Sequence, residues 1–408
     1  MKLGFGRSCI SPQIEEFYLI GYRSPTRFEP ALGIHDNLYA NGLLFDDGQN
    51  ELFLLSLDLL EIEEEMAEEV RHLLAEKYSI SEKMIFLSAT HNHSSLASYH
   101  KSWYTQKFNP DYYQFLLNQI DRIFQDCRRT KGEVTAKIGR KVIRGYYSNR
   151  NHKGQLADNE VILLEFYHQE GQAIAGLINW AVHSTVIGPS NRYLTSDWAG
   201  QVSKKLQAYL GYYPAIFVGA AGDCSNRHER QGTDFAELER VSTAMAKEIA
   251  GIQAEKTVNL GEIKMEELVY SIHYKMDQTN LENQQVIAVY QKELENCEDT
   301  ERRAFVQKEI EKLSQHLDLS EVNLRIPSAG LLIGELGLIT FPGELASSFG
   351  QYLKENSSCQ TLILGYTNGY YGYFFPEEEY GLSFETIGTL IPKGEPEKLV
   401  QSLAQLIT

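Results

Sequence analysis

Two histidines stand one residue apart in MIFLSATHNHSS (residues 84–95), directly after an apolar run that reads as a buried strand. Histidine is the commonest metal ligand and titrates near neutral pH, so His91 and His93 are candidates for a metal or acid–base site. Alone, a His-x-His fits a polar loop better. Other reactive residue types also finish apolar runs. His183 follows AIAGLINWAV, and Asp223, Ser225 and Asn226 follow AIFVGAA. Glu344 follows GLITFPG, while Tyr370, Tyr371 and Tyr373 follow TLILGYTNG. Ligands of α/β sheets bind outside the carboxyl ends of the strands, so these groups could converge. Each also has a plainer explanation: His183 as a core histidine, Glu344 as a first-turn glutamate favoured by the helix dipole, the tyrosines as packing.

The elements that must position them follow from periodicity. ELFLLSLDLL (51–60) reads as a strand, residues 61–78 as a helix with Ile62, Met66, Val70, Leu73 and Leu74 at helical spacing, and KMIFLSAT as the next strand. That is a β-α-β unit with a parallel pair. The glutamates of 61–78 are a solvated face. Strands are expected at 173–182, 215–223 and 360–367, and two strands about a turn at 330–341. Helices are expected at 196–211, with Ser196 or Asp197 as N-cap, at 235–251 and at 344–356. Between about 280 and 317 the chain is highly charged, with Val286, Val289 and Tyr290, then Phe305, Val306, Ile310 and Leu313 at helical spacing. Two amphipathic helices fit, a helical hairpin serving packing or a dimer contact. The fold class expected is α/β (mixed α+β): mixed sheets with β-α-β units, one catalytic domain over 1–408, and the hairpin as an insertion.

Composition narrows the partners. The 408 residues carry a net charge of −17, which argues against nucleic acid or an anionic membrane surface as the main partner. The five cysteines are scattered and form no C-x-x-C pair, so free thiols are expected. The N-terminal residues lack an apolar core of signal-peptide length, and no run reaches eighteen apolar residues. A cytoplasmic protein with no integral membrane segment is expected. A homo-oligomer stays open.

The order of short motifs resembles the catalytic domain of the neutral/alkaline non-lysosomal ceramidases, a family of zinc-dependent amidases. GFGRSCISP is similar to the family's opening glycine-rich strand, GIHDNLYANGLLFDD with LLSLDL to its G-I-H-x-x-L-x-A segment, and THNHS to T-H-T-H-S. SNR (148–150) resembles N-R-S, LINWAVHST resembles I-N-W-x-A-V-H, and GDCSN resembles G-D-V-S-P-N. FPGE matches P-G-E, and TNGYYGYFFPEEEY is similar to N-x-Y-x-x-Y-x-x-x-P-E-E-Y.

The resemblance implies a zinc ion held by His91, His183, Glu344 and Tyr370, with Tyr373 as the alternative if the register is off by three. Nitrogen and oxygen ligands of these types suit four-coordinate zinc. It further implies Ser225 as nucleophile or partner of the reacting centre, His93 as a free hydrogen-bonding or proton-transfer group, and Arg150 as a substrate-holding residue. The expected activity is zinc-dependent hydrolysis of a linear amide in a small-molecule or lipid N-acyl substrate. A metallo-esterase or phosphoesterase, or a non-catalytic metal-binding scaffold or sensor, are the alternatives. Two departures fall beside the site: the family's H-T-H-S-G-P-G is HNHSSLA here, and G-D-V-S-P-N is GDCSNR. A soluble or short-chain N-acyl compound is therefore expected over long-chain ceramide in a bilayer.

Overall fold

Apolar runs buried at every position, such as IFLSA and LGLIT, form strands of the sheets. Such runs suit strands covered on both faces. The computed structural model describes residues 1–22, 24–101, 106–155 and 157–407. A first sheet holds β1 (Lys2–Cys9), β2 (Tyr39–Asp46), β3 (Glu51–Leu57) and β4 (Ile85–Ala89) in the order β4-β3-β2-β1, with Gly132–Glu133 beside β1. β3 and β4 run parallel, from Phe53 opposite Ile85 to Leu57 opposite Ala89. They are joined through α1 (Glu64–Tyr78), the β-α-β unit legible in the sequence.

α2 (Pro110–Thr130) lies across β1 and β2. Glycine makes this close approach possible: a Cβ on Gly4 would stand 1.8 Å from the Cys127 carbonyl oxygen. α2 was not among the helices expected from the sequence. Its signals were present, with Leu116, Ile120, Ile123, Phe124 and Cys127 buried on one face. The Asn109 side chain also caps it, accepting from Tyr112 N at 2.9 Å.

The second sheet holds β5 (Thr135–Val142), β6 (Glu160–Tyr167), β7 (Ala173–Trp180) and β8 (Ala215–Val218) in the order β8-β7-β6-β5, with Lys256–Val258 outside β5. β7 and β8 are parallel, with α3 (Asp197–Leu210) between them in sequence and α4 (Phe235–Ala250) packed on α3. Ser196 is the N-cap residue of α3 by position, but its hydroxyl donates to Asp36 Oδ1 at 2.6 Å instead of capping.

The third sheet runs β9 (Ile263–Lys275), β10 (Glu321–Ile333), β11 (Leu336–Thr340), β12 (Gln360–Leu364). The turn expected within 330–341 is the β10–β11 connection. However, β10 begins at Glu321 and pairs along its full length with β9, a strand the sequence analysis did not identify. Much of β9 is exposed, so its polar residues mask the strand pattern.

Between β9 and β10 stand α5 (Asp277–Asn296) and α6 (Thr300–Leu317). Their contact is made by Ile287, Tyr290, Val306 and Leu313, whereas Val289 is 65% exposed. The buried face of α5 is thus rotated from the expected one. α7 (Ser347–Glu355) starts three residues late, because Glu344 and Leu345 pair in parallel with Tyr373 and Phe374. α8 (Glu395–Gln405) closes the chain.

Polar side chains fix where the sheets meet. Asn179 on β7 donates through Nδ2 to the carbonyls of Phe217 (2.9 Å) and Ile363 (2.7 Å), and its Oδ1 accepts from Ile363 N at 3.2 Å. Ser56 on β3 donates to the Ile216 carbonyl at 2.5 Å. Asn368, just past β12, accepts from Leu87 N at 2.8 Å. The carboxyl ends of β4, β7, β8 and β12 therefore arrive together.

Asn179→Leu removes three hydrogen bonds from a buried sheet junction and should cost roughly 2–4 kcal/mol in urea unfolding. Asp58 accepts from Tyr39 N (2.9 Å) and the Thr90 hydroxyl (3.3 Å), and burial pushes its pKa up to about 7. Unfolded, it would titrate near 4. The folded chain thus holds the extra proton between these values, and stability falls as pH rises through that window. Asp58→Asn lacks this proton. Wild-type stability relative to the variant should drop by roughly 2–4 kcal/mol from pH 4 to pH 7 in chemical denaturation.

Candidate metal centre

The three residues of His91-Asn92-His93 do different work. Asn92 is fully buried, and its Nδ2 donates to the Thr195 carbonyl at 2.7 Å. Its backbone bridges to Ser184, which sets the loop after β4 beside the loop after β7. His91 sits in the left-handed region at φ 55°, a conformation that β-carbon sterics disfavour. That turn brings its ring against His183, with ring centroids 4.6 Å apart.

Backbone acceptors fix the two rings. The Nδ1 of His91 faces the Leu60 carbonyl at 2.8 Å, and that of His183 faces the carbonyls of Ala221 (2.9 Å) and Cys224 (3.1 Å). A carbonyl only accepts, so each Nδ1 carries the hydrogen and each Nε2 presents a lone pair. Those lone pairs face a carboxylate. Glu344 Oε1 lies 3.4 Å from His91 Nε2, and Oε2 lies 3.1 Å from His183 Nε2. In this arrangement Arg150 donates to the His183 lone pair at 2.9 Å and His93 Nε2 lies 3.0 Å from that of His91, and a cation among the lone pairs and the carboxylate would bind all three. The ligand atoms of His91, His93 and His183 also lie within 4.8 Å of one another. The donor set thus fits a metal ion such as zinc.

The Glu344 carboxylate is wholly buried and ringed by donors. Tyr370 donates to Oε1 at 2.5 Å and Tyr366 to Oε2 at 3.1 Å. Burial alone would raise its pKa; positive charge on the His91 and His183 rings, when they are protonated, and on Arg150 lowers it. Burial lowers all three histidines, taking His183 to about 3 with the help of the Arg150 charge. They are neutral near pH 7. His93 places Nε2 3.0 Å from His91 Nε2, and its Nδ1 meets no hydrogen-bond partner among the described residues.

Arg150 is locked by three contacts. Nε donates to Glu385 at 2.8 Å, one terminal nitrogen lies 2.9 Å from His183 Nε2, and the other donates to the Tyr373 hydroxyl at 3.1 Å. Its strand, Ser148–Asn149, pairs with Cys224–Ser225, which sets Ser225 beside it. Asp223 bolts this corner together, accepting from Asn149, Ser347 N and the Ser347 hydroxyl. It is spent on structure.

A cavity of about 450 Å³ opens over this centre, and His91, His93, Arg150, Ser225, Glu344 and Tyr370 all line it. Of the residues the family resemblance assigns to the site, all border one space except His183, which sits behind the wall. The other strand-end groups Asp223, Asn226 and Tyr371 do not line it, and Tyr371 donates to Glu64 at 3.1 Å instead. Tyr370 reaches Glu344, and Tyr373 reaches Arg150. Sequence analysis missed Tyr366, although it lies in the same tyrosine-rich segment. It also missed Glu385, for which a loop position carried no signal. The α6 residues Phe305, Glu309 and Lys312 were assigned no chemistry, yet they line the same cavity.

Residues 1–210 match the family profile described as neutral/alkaline non-lysosomal ceramidase, N-terminal. The chain belongs to that family. Its fold is similar to that of a crystal structure of neutral ceramidase from Pseudomonas aeruginosa, at TM-score 0.77 and 20% identity, over 99% of this chain and 73% of that one. A structure described as ceramidase complexed with C2 is similar at TM-score 0.76 and 19% identity, over 99% and 74%. In this ceramidase-family fold the strand ends supply the candidate ligands from all three sheets. Among the described residues, no helix is long and apolar enough to cross a membrane.

Purified protein should carry about one zinc ion per chain. If His183 is one of four ligands, as expected from the sequence, its loss opens the site to water, and His183→Ala should lose most of that metal in elemental analysis while keeping its circular dichroism spectrum.

Proposed function

We propose that the protein is a zinc-dependent amidohydrolase that cleaves a linear amide in an N-acyl amine, with ceramide-like lipids within the substrate class. One observation carries this reading above the others. The lone-pair faces of His91 and His183 meet the Glu344 carboxylate, and His91 and Glu344 line a cavity that Ser225 and His93 also border, with His183 directly behind them. His91, His183 and Glu344 would hold the ion, with Tyr370 as fourth ligand or as donor to Glu344. Bound zinc polarises a carbonyl and lowers the pKa of water to about 7.

The chain's own residues do the rest. His93 is neutral at working pH, and its ring borders the cavity, where it can take a proton from the attacking group and pass it to the leaving nitrogen. The water or hydroxyl O–H breaks, the carbonyl carbon gains an oxygen, the C–N bond breaks, and the amine leaves protonated. Ser225 can attack the carbonyl itself, leaving an acyl-serine ester that water then cleaves to the acid and free serine, or donate a hydrogen bond to the oxygen on which charge develops. Arg150 cannot swing towards substrate without giving up Glu385, His183 or Tyr373. It is better suited to fixing those groups and supplying a permanent positive charge. The same centre could cleave an ester, which a substrate panel distinguishes.

Turnover of N-acyl amines of several chain lengths by zinc-loaded protein is the direct test, and no hydrolysis of any member would overturn the proposal. Ser225→Ala should retain zinc and lose roughly ten- to ten-thousand-fold in kcat, the span for lost acid–base or oxyanion help. Full activity in that variant would remove the serine from the mechanism. His93→Ala should behave likewise. Zinc loss there, with zinc retained in His91→Ala, would reverse the roles given to the two histidines.

A further inference from the structure

The cavity walls carry positive charge that the metal centre does not use. Beyond Ser225 the chain turns over Asn226–Arg230, closed by Arg230 N donating to the Asn226 carbonyl at 2.9 Å. Positions three apart on such a turn share a side. Arg227 and Arg230 both line the cavity, Arg227 exposed at the rim and Arg230 half-buried. Burial lowers the pKa of Arg227, and the charges of Arg150 and Arg230 lower it further.

The cavity's carboxylates are already matched. Glu385 pairs with Arg150 at 2.8 Å, Glu61 with His100 at 2.7 Å, Glu309 with Lys312 at 3.8 Å, and Glu344 faces the histidines. Neither Arg227 nor Arg230 has a carboxylate within 4 Å among the described residues, although the chain as a whole has a net charge of −17. Two like charges set side by side at a cavity wall, in an acidic protein, repel each other until an anion is bound.

Opposite chemistry lines other parts of the space. Ile20, Leu60, Phe305 and Phe384 border it, and Phe305 from α6 meets Phe384 edge-on, with ring centroids 6.4 Å apart. The cavity therefore offers an apolar side, a candidate hydrolytic centre and a cationic corner next to Ser225.

We propose that Arg227 and Arg230 form an anion subsite, so that the preferred substrate is an N-acyl amine carrying a carboxylate, or a phosphate or sulfonate, on its amine portion. This inference rests on the amidase reading. The acyl chain lies along the apolar side, the amide at the centre, and the anion on the two guanidinium groups, which bind such oxygens with directed, charge-assisted hydrogen bonds.

The test compares N-octanoylglycine, N-octanoyltaurine and N-octanoyl-phosphoethanolamine with neutral N-octanoylethanolamine. Zinc-loaded wild type should favour at least one anionic compound by about tenfold or more in kcat/KM, the effect expected of one charged hydrogen-bonded contact. The largest ratio identifies the anion. Arg227→Ala/Arg230→Ala should bring that ratio close to one, while Arg227→Lys/Arg230→Lys should retain part of it. Equal or better turnover of the ethanolamide by wild type would overturn the subsite and leave the amidase reading standing. Calorimetric binding to zinc-loaded Ser225→Ala protein separates the two ideas. Tighter binding of the anionic compounds, lost in the double alanine variant, supports the subsite even if nothing is hydrolysed. Binding without that preference overturns it.

Discussion

A fully buried Glu344 carboxylate is the constraint on which the rest of this structure depends. An isolated carboxylate at such depth would cost several kcal/mol or take up a proton. Here Tyr366, Tyr370, Arg150 and the two histidine rings surround it. These groups come from the ends of β4, β7 and β12 and from the Ser148–Asn149 segment, so the carboxylate is stable only when all three sheets are assembled. The Asn179, Ser56 and Asn368 junctions have no part in the chemistry, yet they hold those ends in register. Sheet assembly and site assembly are thus one event, as expected for ligands drawn from separate elements.

Much of this was legible before the fold was known. Where an apolar run ended and a reactive side chain followed, the structure places a cavity residue or its immediate support at His91, His183, Ser225 and Glu344, whereas Tyr371 turns away to Glu64. Strand ends converge in parallel β-α-β arrangements because the crossover returns each strand in the same direction. Less legible was anything whose role is set by tertiary packing. β9 is exposed along much of its length, so it shows no strong apolar signature. On α5, periodicity allowed more than one buried face, and contact with α6 selected Ile287 and Tyr290 over Val289. Glu385 reaches Arg150 across 235 positions of sequence, a distance no local pattern reports.

Division of labour within the cavity follows from which parts of the chain supply it. Strand ends and the tight turns after them provide the histidines, Glu344 and Ser225, whose positions are held by backbone hydrogen bonds. Loops and the α6 helix provide the outer walls, where Phe305, Phe384 and the two arginines lie. Rigid elements suit groups that must keep fixed geometry, and loops suit groups that select what enters.

The ribbon of β9 and β10 gives that division a particular form. Its last pair is Lys275 opposite Glu321, and the whole α5–α6 hairpin hangs beyond that pair. Lengthening, shortening or exchanging the hairpin would change the closure entropy of one loop only slowly and would leave the strand register intact. Through Phe305, that same hairpin forms part of the cavity wall. The fold has therefore put one side of its binding space on an appendage that can vary independently of the buried carboxylate. Relatives with this ribbon could diverge in what they admit while keeping one hydrolytic floor.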